Sequence, residues 1–256
     1  MSYLVEQAIF TSARGGRMAG YQLTSRSGGI DDELATQLSN WGPAHDSLET
    51  RLGRSSVNVC LLEGERVCIG YTQLAGAEYS GRGGGRVYTH SFILHRDALH
   101  PFQGNPFLIL RAFRSAGRTQ PRRDPPELLE TFQLVGRSSR GTTTAKTSAS
   151  QLLDEAACEK LVWALAAGQP VFLAGDEPLD PVFEAMLELL PEEDRGGITF
   201  TTALRVSPRR QFQLQAVPID QVLLRQLQRN ENAVVVQLPS RHGSPTRDTK
   251  TTSKTR

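Results

Sequence analysis

Gly81-Arg82-Gly83-Gly84-Gly85-Arg86 runs straight into Val87-Tyr88-Thr89-His90-Ser91-Phe92-Ile93-Leu94, so backbone freedom, positive charge and a titratable ring converge there. Glycines in succession let backbone N–H groups point together, as an anion-binding nest requires. Arg82 and Arg86 can each offer a carboxylate or phosphate two parallel hydrogen bonds. No Gly-Lys-Ser/Thr follows and the run leads into a strand, which separates it from the nucleotide phosphate loops. A plain hairpin turn, or a single RGG-like tract for RNA, explains the same residues. In an extended strand Tyr88, His90, Phe92 and Leu94 share one face, and Val87, Thr89, Ser91 and Ile93 the other. His90 thus stands among large apolar neighbours, as a buried structural histidine does. A general base would need a nucleophile or carboxylate within hydrogen-bond reach. Cys60 or Cys68 on neighbouring strands, or a carboxylate, could supply it, and a small hydrolase or nucleotide-modifying enzyme using His90 beside the arginine-glycine loop depends on such a pairing.

The remaining chemistry-bearing residues are dispersed. His45, His95, His100 and His242 show no ligand spacing with a third group, so no metal site is expected. Cys60, Cys68 and Cys158 are single residues in apolar contexts, read as small buried hydrophobes of a reducing cytoplasm. From Arg111 to Lys146 there are eight basic and three acidic residues. Phosphate contact fits that charge, but Phe113 and Phe132 fall in apolar phase with a core and give no base-stacking platform. An acidic protein surface, including that of this chain's own second half, is an equal fit. Ser207-Pro208 starts a turn that presents Arg209 and Arg210 at its tip, either as interface anchors or as a solvated hairpin end. The candidate partner- or anion-binding residues are therefore Arg82, Arg86, Tyr88, Thr89, His90, Arg209 and Arg210. No catalytic set is assembled and no cofactor is called for.

Composition sets the frame for these residues. The 256 residues are 38% apolar and 22% charged, ordinary for a globular protein. No run approaches the length needed to span a bilayer and the first residues lack the pattern of a signal peptide, which points to the cytoplasm and away from a membrane. The net charge of +2 is uneven: residues 1–146 carry 17 basic and 13 acidic side chains, residues 147–239 carry 7 and 13. The change falls in the polar stretch Arg137–Ser148, read as a linker. A first domain over 1–140 and a second over 148–239 follow, with a disordered basic tail at 240–256, which has no aromatic or aliphatic residue.

The apolar periods give an α+β first domain of mainly antiparallel strands and a smaller α/β second domain. Strands are expected at 3–10, 21–25, 57–62, 66–71 and 86–94, with Gly15-Gly16 marking a turn and Glu63-Gly64-Glu65 a hairpin. Helices follow Asp31-Asp32-Glu33 and Pro101, the latter over 106–116. The second domain reads as helix 150–167, strand 170–174, helix 181–190 capped by Asp180-Pro181, strands 198–204 and 211–217, helix 220–229 and strand 233–238. Strand 211–217 alternates Gln with apolar residues, which predicts one wet face.

Gln7-Ala8-Ile9-Phe10-Thr11-Ser12 with Gly15-Gly16, and the glycine-arginine run leading into Thr89-His90-Ser91-Phe92, resemble the N-terminal domain of the bacterial GTPase-associated adaptor proteins. Phe200-Thr201-Thr202-Ala203-Leu204 through Ser207-Pro208-Arg209-Arg210 to Phe212 is similar to a segment of the short standalone adaptors, which extends the resemblance over most of residues 3–239. The resemblance implies a non-catalytic binding module and a GTPase or other NTPase-system protein as partner, within a multi-gene conflict or signalling system. A peptide or acidic protein surface, and more weakly nucleic acid, are the other partners the residues allow.

Overall fold

The computed structural model describes residues 1–13, 20–78, 85–136, 153–230 and 232–239. The Gly15-Gly16 turn, residues 81–84 with Arg82, the 137–148 stretch and the basic end from 240 lie outside the described residues.

Five strands of the first half pair antiparallel: β1 (Ser2–Ala13), β2 (Gly20–Ser27), β3 (Ser55–Leu62), β4 (Arg66–Ala77) and β5 (Gly85–His95), in the order β3-β4-β5-β1-β2. The β3–β4 hairpin closes at Gly64 and Glu65, both at positive φ, as the Glu-Gly-Glu tripeptide predicts. Two short strands escape the sequence reading. β6 (Leu128–Leu129) pairs parallel with β2, and β7 (Phe132–Val135) pairs with the first residues of β1. The second half contributes β8 (Val171–Gly175), β9 (Phe200–Thr201), β10 (Leu214–Pro218) and β11 (Val234–Gln237), paired parallel in the order β11-β8-β10-β9. β9 then joins β3 antiparallel through Asn58↔Thr201 and Val59↔Phe200. The result is one mixed sheet of eleven strands, α+β overall.

The helices start where short polar side chains cap them. Asp31 accepts from the Leu34 N–H at 2.8 Å to open α1 (Asp32–Trp41), which buries Leu34 and Leu38. Asn105 caps α2 (Pro106–Ser115), with Pro106 in the first turn. Asp154 caps α3 (Glu155–Ala166), which is shorter at its start than the 150–167 period suggests. α4 (Asp180–Leu189) corrects another expectation: Asp180 is inside the helix, and Leu179 precedes it without a side-chain cap. The short α5 (Glu192–Arg195) and α6 (Gln221–Gln228) complete the set.

The α/β half departs most from its periodicity. The expected strand 198–204 contracts to two residues because Thr201 and Thr202 turn their hydroxyls towards β3 instead of continuing a ladder. The expected wet face of 211–217 survives only at its start, where Gln211 is exposed and Gln213 half-buried, both before the strand begins. β10 lies between two parallel neighbours, and Gln215 is buried with its amide donating to the Leu204 carbonyl at 3.0 Å. Parallel strands in a sheet covered on both sides have no solvent face, so an alternating Gln must find a partner inside.

One core runs across both halves. Val57, Val59, Val67, Ile69, Phe92 and Leu94 pack with Phe107, Leu110 and Phe113 of α2, and the cluster continues through Phe200 to Phe183 and Met186. Phe107 stacks on Phe200 with centroids 5.3 Å apart. The opposite face of the sheet packs Ala8, Cys60, Cys68 and Ile93 under α1. Along this second face a buried polar chain crosses β9, β3, β4 and β5. Asn58 Oδ1 accepts from Ser56 at 2.7 Å and Thr201 at 2.6 Å, Asn58 Nδ2 donates to Thr72 at 2.8 Å, and Thr72 meets Thr89 at 2.8 Å. Asn58 thus accepts from two hydroxyls and donates to a third, at the centre of a chain whose other members also touch one another. Asn58→Ala is expected to cost about 2–4 kcal/mol, because the buried Ser56 and Thr201 hydroxyls lose their shared acceptor and Thr72 loses a donor. Urea unfolding checks this; a loss near zero would show that the hydroxyls re-pair among themselves.

Candidate functional site

β5 is central, between β4 and β1, so the side chains it carries are placed by hydrogen bonding on both edges. His90 is 1% exposed. Its ring stacks on Phe92 at 4.3 Å, and Phe92 in turn meets Phe113 at 4.5 Å. His90 Nε2 lies 2.9 Å from Gln7 Oε1. The Gln7 amide nitrogen already donates to the Glu130 carbonyl, so its oxygen accepts and His90 carries its proton on Nε2. Nδ1 is buried with no hydrogen bond of ordinary geometry, and the Arg118 backbone beside the ring favours the protonated form only weakly against the burial. Burial, joined by the positive charges of Arg122 and Arg118, pulls the imidazole pKa down to about 4. It is neutral at pH 7.

A histidine can activate a protein nucleophile only within hydrogen-bond reach, and neither buried cysteine is placed there. Cys68 pairs with Ile93, three residues along β5 from His90, and an odd separation puts the two on opposite faces of the sheet. Cys60 and Cys68 face one another across β3 and β4 in the layer beneath α1. Contact with Cys68 and burial push the Cys60 thiol well up. The Cys–His arrangement that an enzyme would need is not formed. Tyr88 and Thr89 are also buried: the Tyr88 hydroxyl has no partner, and Thr89 ends the chain that begins at Ser56. Among the described residues no group of three or more His, Cys, Asp or Glu is placed to hold a metal ion. No helix among them is long and apolar enough to cross a membrane.

The hairpin between β4 and β5 is clamped at its base. Glu78 accepts from Ser12 at 2.7 Å and from the Tyr21 hydroxyl at 2.5 Å, while Tyr21 accepts from the Val87 N–H at 3.1 Å. Burial and the Glu78 carboxylate hold the Tyr21 phenol far above its usual range. Arg86 folds back, its Nε donating to the Ala75 carbonyl at 3.1 Å.

Arg209 and Arg210 diverge. Ser207 and Arg210 bridge across a tight turn that leaves Arg209 exposed and turns Arg210 inward to 8% exposure. There Arg210 reaches the carbonyl of Gly42, just past α1, and the Ser47 hydroxyl. Tyr21 connects the two candidate regions, since its hydroxyl holds the hairpin base and it lines the same groove as Arg209 and Arg210. Three arginines of α2 and just beyond engage internal partners, while Arg122 and Arg123 are exposed. Arg111 makes a two-pronged pair with Glu184 of α4 at 2.7 and 2.8 Å, Arg114 lies over Tyr71, and Arg118 lies over Phe132 at 3.8 Å. Sequence reasoning missed Gln7, Tyr21 and Glu78. Only Gln7 left a trace, as a polar residue in phase with Val5 and Ile9 on β1.

Residues 4–131, half of the chain, match the family described as GTPase-associated protein 1, N-terminal domain type 2. The chain belongs to this family. The match runs from β1 to just before β7, so the Phe200–Phe212 segment lies beyond it. No curated protein matches the chain.

The state of His90 has a thermodynamic consequence. Its folded pKa is below the unfolded value of about 6.5, so the unfolded chain binds the extra proton first as pH falls. The stabilisation is present above about pH 6.5 and is lost as pH drops towards 4. His90→Gln should flatten that part of the stability-versus-pH curve relative to the parent protein. Identical slopes for the two proteins in urea titrations from pH 7 to 4 would mean that His90 is not the group responsible.

Proposed function

We propose that the chain is a non-catalytic, cytoplasmic binding module that engages a protein partner in a GTPase-linked bacterial conflict or signalling system. The family membership supports the GTPase link. The observation that carries the non-catalytic part is the separation of His90 from both buried cysteines by the thickness of the sheet. A histidine sealed at 1% exposure and neutral at pH 7 serves the fold by bonding Gln7, and through Gln7 the carbonyl of Glu130.

The contact surface in this reading is the end of the molecule that carries the β4–β5 hairpin and the Ser207–Arg210 turn. Arg209 is the exposed anchor there, and Tyr88, Thr89 and His90 support the surface from within. An exposed guanidinium suits an acidic protein surface, where it sets encounter rate and orientation more than total affinity. In this reading the parts over 1–140 and 148–239 act as one platform.

Affinity capture from the native host with GTP or GDP analogues should recover a GTPase in one nucleotide state. With the two proteins purified, Arg209→Glu should weaken the complex by about tenfold or more while leaving thermal stability unchanged. Failure of the purified GTPase to bind in either nucleotide state would sink the GTPase link. Unchanged affinity of Arg209→Glu would move the contact elsewhere.

A further inference from the structure

Arg210 is a buried cation without a counter-ion. None of the ion pairs among the described residues includes it, its Nε has no hydrogen-bond partner, and its two contacts are long at 3.4 Å to Gly42 and 3.5 Å to Ser47. The nearby carboxylates are engaged elsewhere: Glu49 with Arg51 and Arg205, and Asp46 with His45 at 2.9 Å. A guanidinium has five N–H donors, and two marginal contacts leave most of them idle. A charge taken out of water needs a compensating charge, or the fold bears an uncompensated cost. The end of α1 offers partial negative character at its last carbonyls, which explains how the cation is tolerated, not what it is for.

The guanidinium also borders open space. A groove of about 670 Å³ runs between the first residues of β2 and the end of α1, lined by Tyr21, Ser39, Asn40, Gly42, Arg209 and Arg210. That volume is in the range of small-ligand sites. Gly42 is required where it stands, because any Cβ would collide with the Phe10 ring that forms the floor. Asn40 is exposed on the rim, and Tyr21 lines the wall with its hydroxyl fixed by Glu78 and Val87. Two adjacent arginines at one end and uncharged polar groups along the side make a site for a molecule with one negative head and a neutral body.

We propose that this groove binds a small-molecule oxyanion, a carboxylate or phosphoryl group, with its head between Arg209 and Arg210 and its body along Tyr21 and Asn40. The inference stands apart from the GTPase link: it needs no protein partner, and the partner reading survives its failure. Burial and the neighbouring Arg209 charge both depress the Arg210 pKa.

The test is thermal unfolding of the full chain in sodium phosphate, sodium acetate and sodium chloride at matched ionic strength. A saturable rise in Tm with phosphate or with acetate, absent in chloride, is expected, and the arm that responds identifies the head group. Arg210→Met, which keeps the apolar stem of the side chain and removes the charged head, should weaken that response by about tenfold or more. Amide spectra of the parent protein give a second reading that needs no variant, with shifts expected at residues 39–44 and 207–210. The proposal is overturned by the absence of a saturable rise in both arms, by an undiminished response in Arg210→Met, or by amide shifts confined to other regions. If Arg210→Met does not fold, the amide map alone decides between these outcomes.

Discussion

The structure depends on a short seam. β9 is two residues long, yet it is where an antiparallel meander and a parallel α/β unit become one sheet. Two ladder pairs are too few to hold such halves together, so side chains reinforce them. Thr201 and Ser56 converge on Asn58, the Thr202 hydroxyl accepts from the Val57 N–H, and Ser56 accepts from the Ala203 N–H. The segment around Leu48 adds two backbone bonds, from the Glu49 N–H to the Ala203 carbonyl and from the Arg205 N–H to the Ser47 carbonyl. On the other face of the sheet, Phe200 presses into the aromatic cluster of Phe107 and Phe183. Polar specificity on one side and apolar burial on the other fix a single register where either alone would allow slippage.

β5 shows how the same constraint separates roles. A central strand must satisfy two opposed layers, and its alternate residues belong to different parts of the molecule. His90 stacks on Phe92 in the layer under α2 and Tyr88 joins a separate cluster with Ile9 and Leu129, while Thr89 and Ile93 serve the layer under α1. Sequence neighbours in such a strand are strangers in space. The side chains of Tyr88, Thr89 and His90 are therefore buried, while at the rim Arg209 and Arg210 part company within one turn.

Much of the local structure was legible because local physics fixes it. Asp31, Asn105 and Asp154 announce their helices, and Glu63-Gly64-Glu65 announces its hairpin. What failed was everything set by a distant partner. Gln215 looked solvent-facing because alternation cannot reveal that a strand is covered twice, and the run 198–204 looked like a strand because nothing local shows that Thr201 and Thr202 are committed to β3. The candidate residues were recognisable by type, but not by depth. Arg209 and Arg210 are identical in sequence terms, and only the Ser207 turn and the end of α1 decide which one is buried. Arg111 of α2 looked available for a partner until Glu184 supplied it from the other half.

The seam also sets the order of events at the ribosome. β3 emerges early, with Val57, Val59 and Leu61 along it, but the strand that covers its outer edge ends at residue 201. At ordinary synthesis speeds the wait is on the order of ten seconds. During that time β3 is an open, apolar edge of the kind that recruits other chains. Asn58 and Ser56 interrupt its apolar character at alternate positions, so the same two polar residues that later lock the sheet guard it while it is unfinished. Nascent-chain solubility, as much as final stability, is then a pressure on these positions.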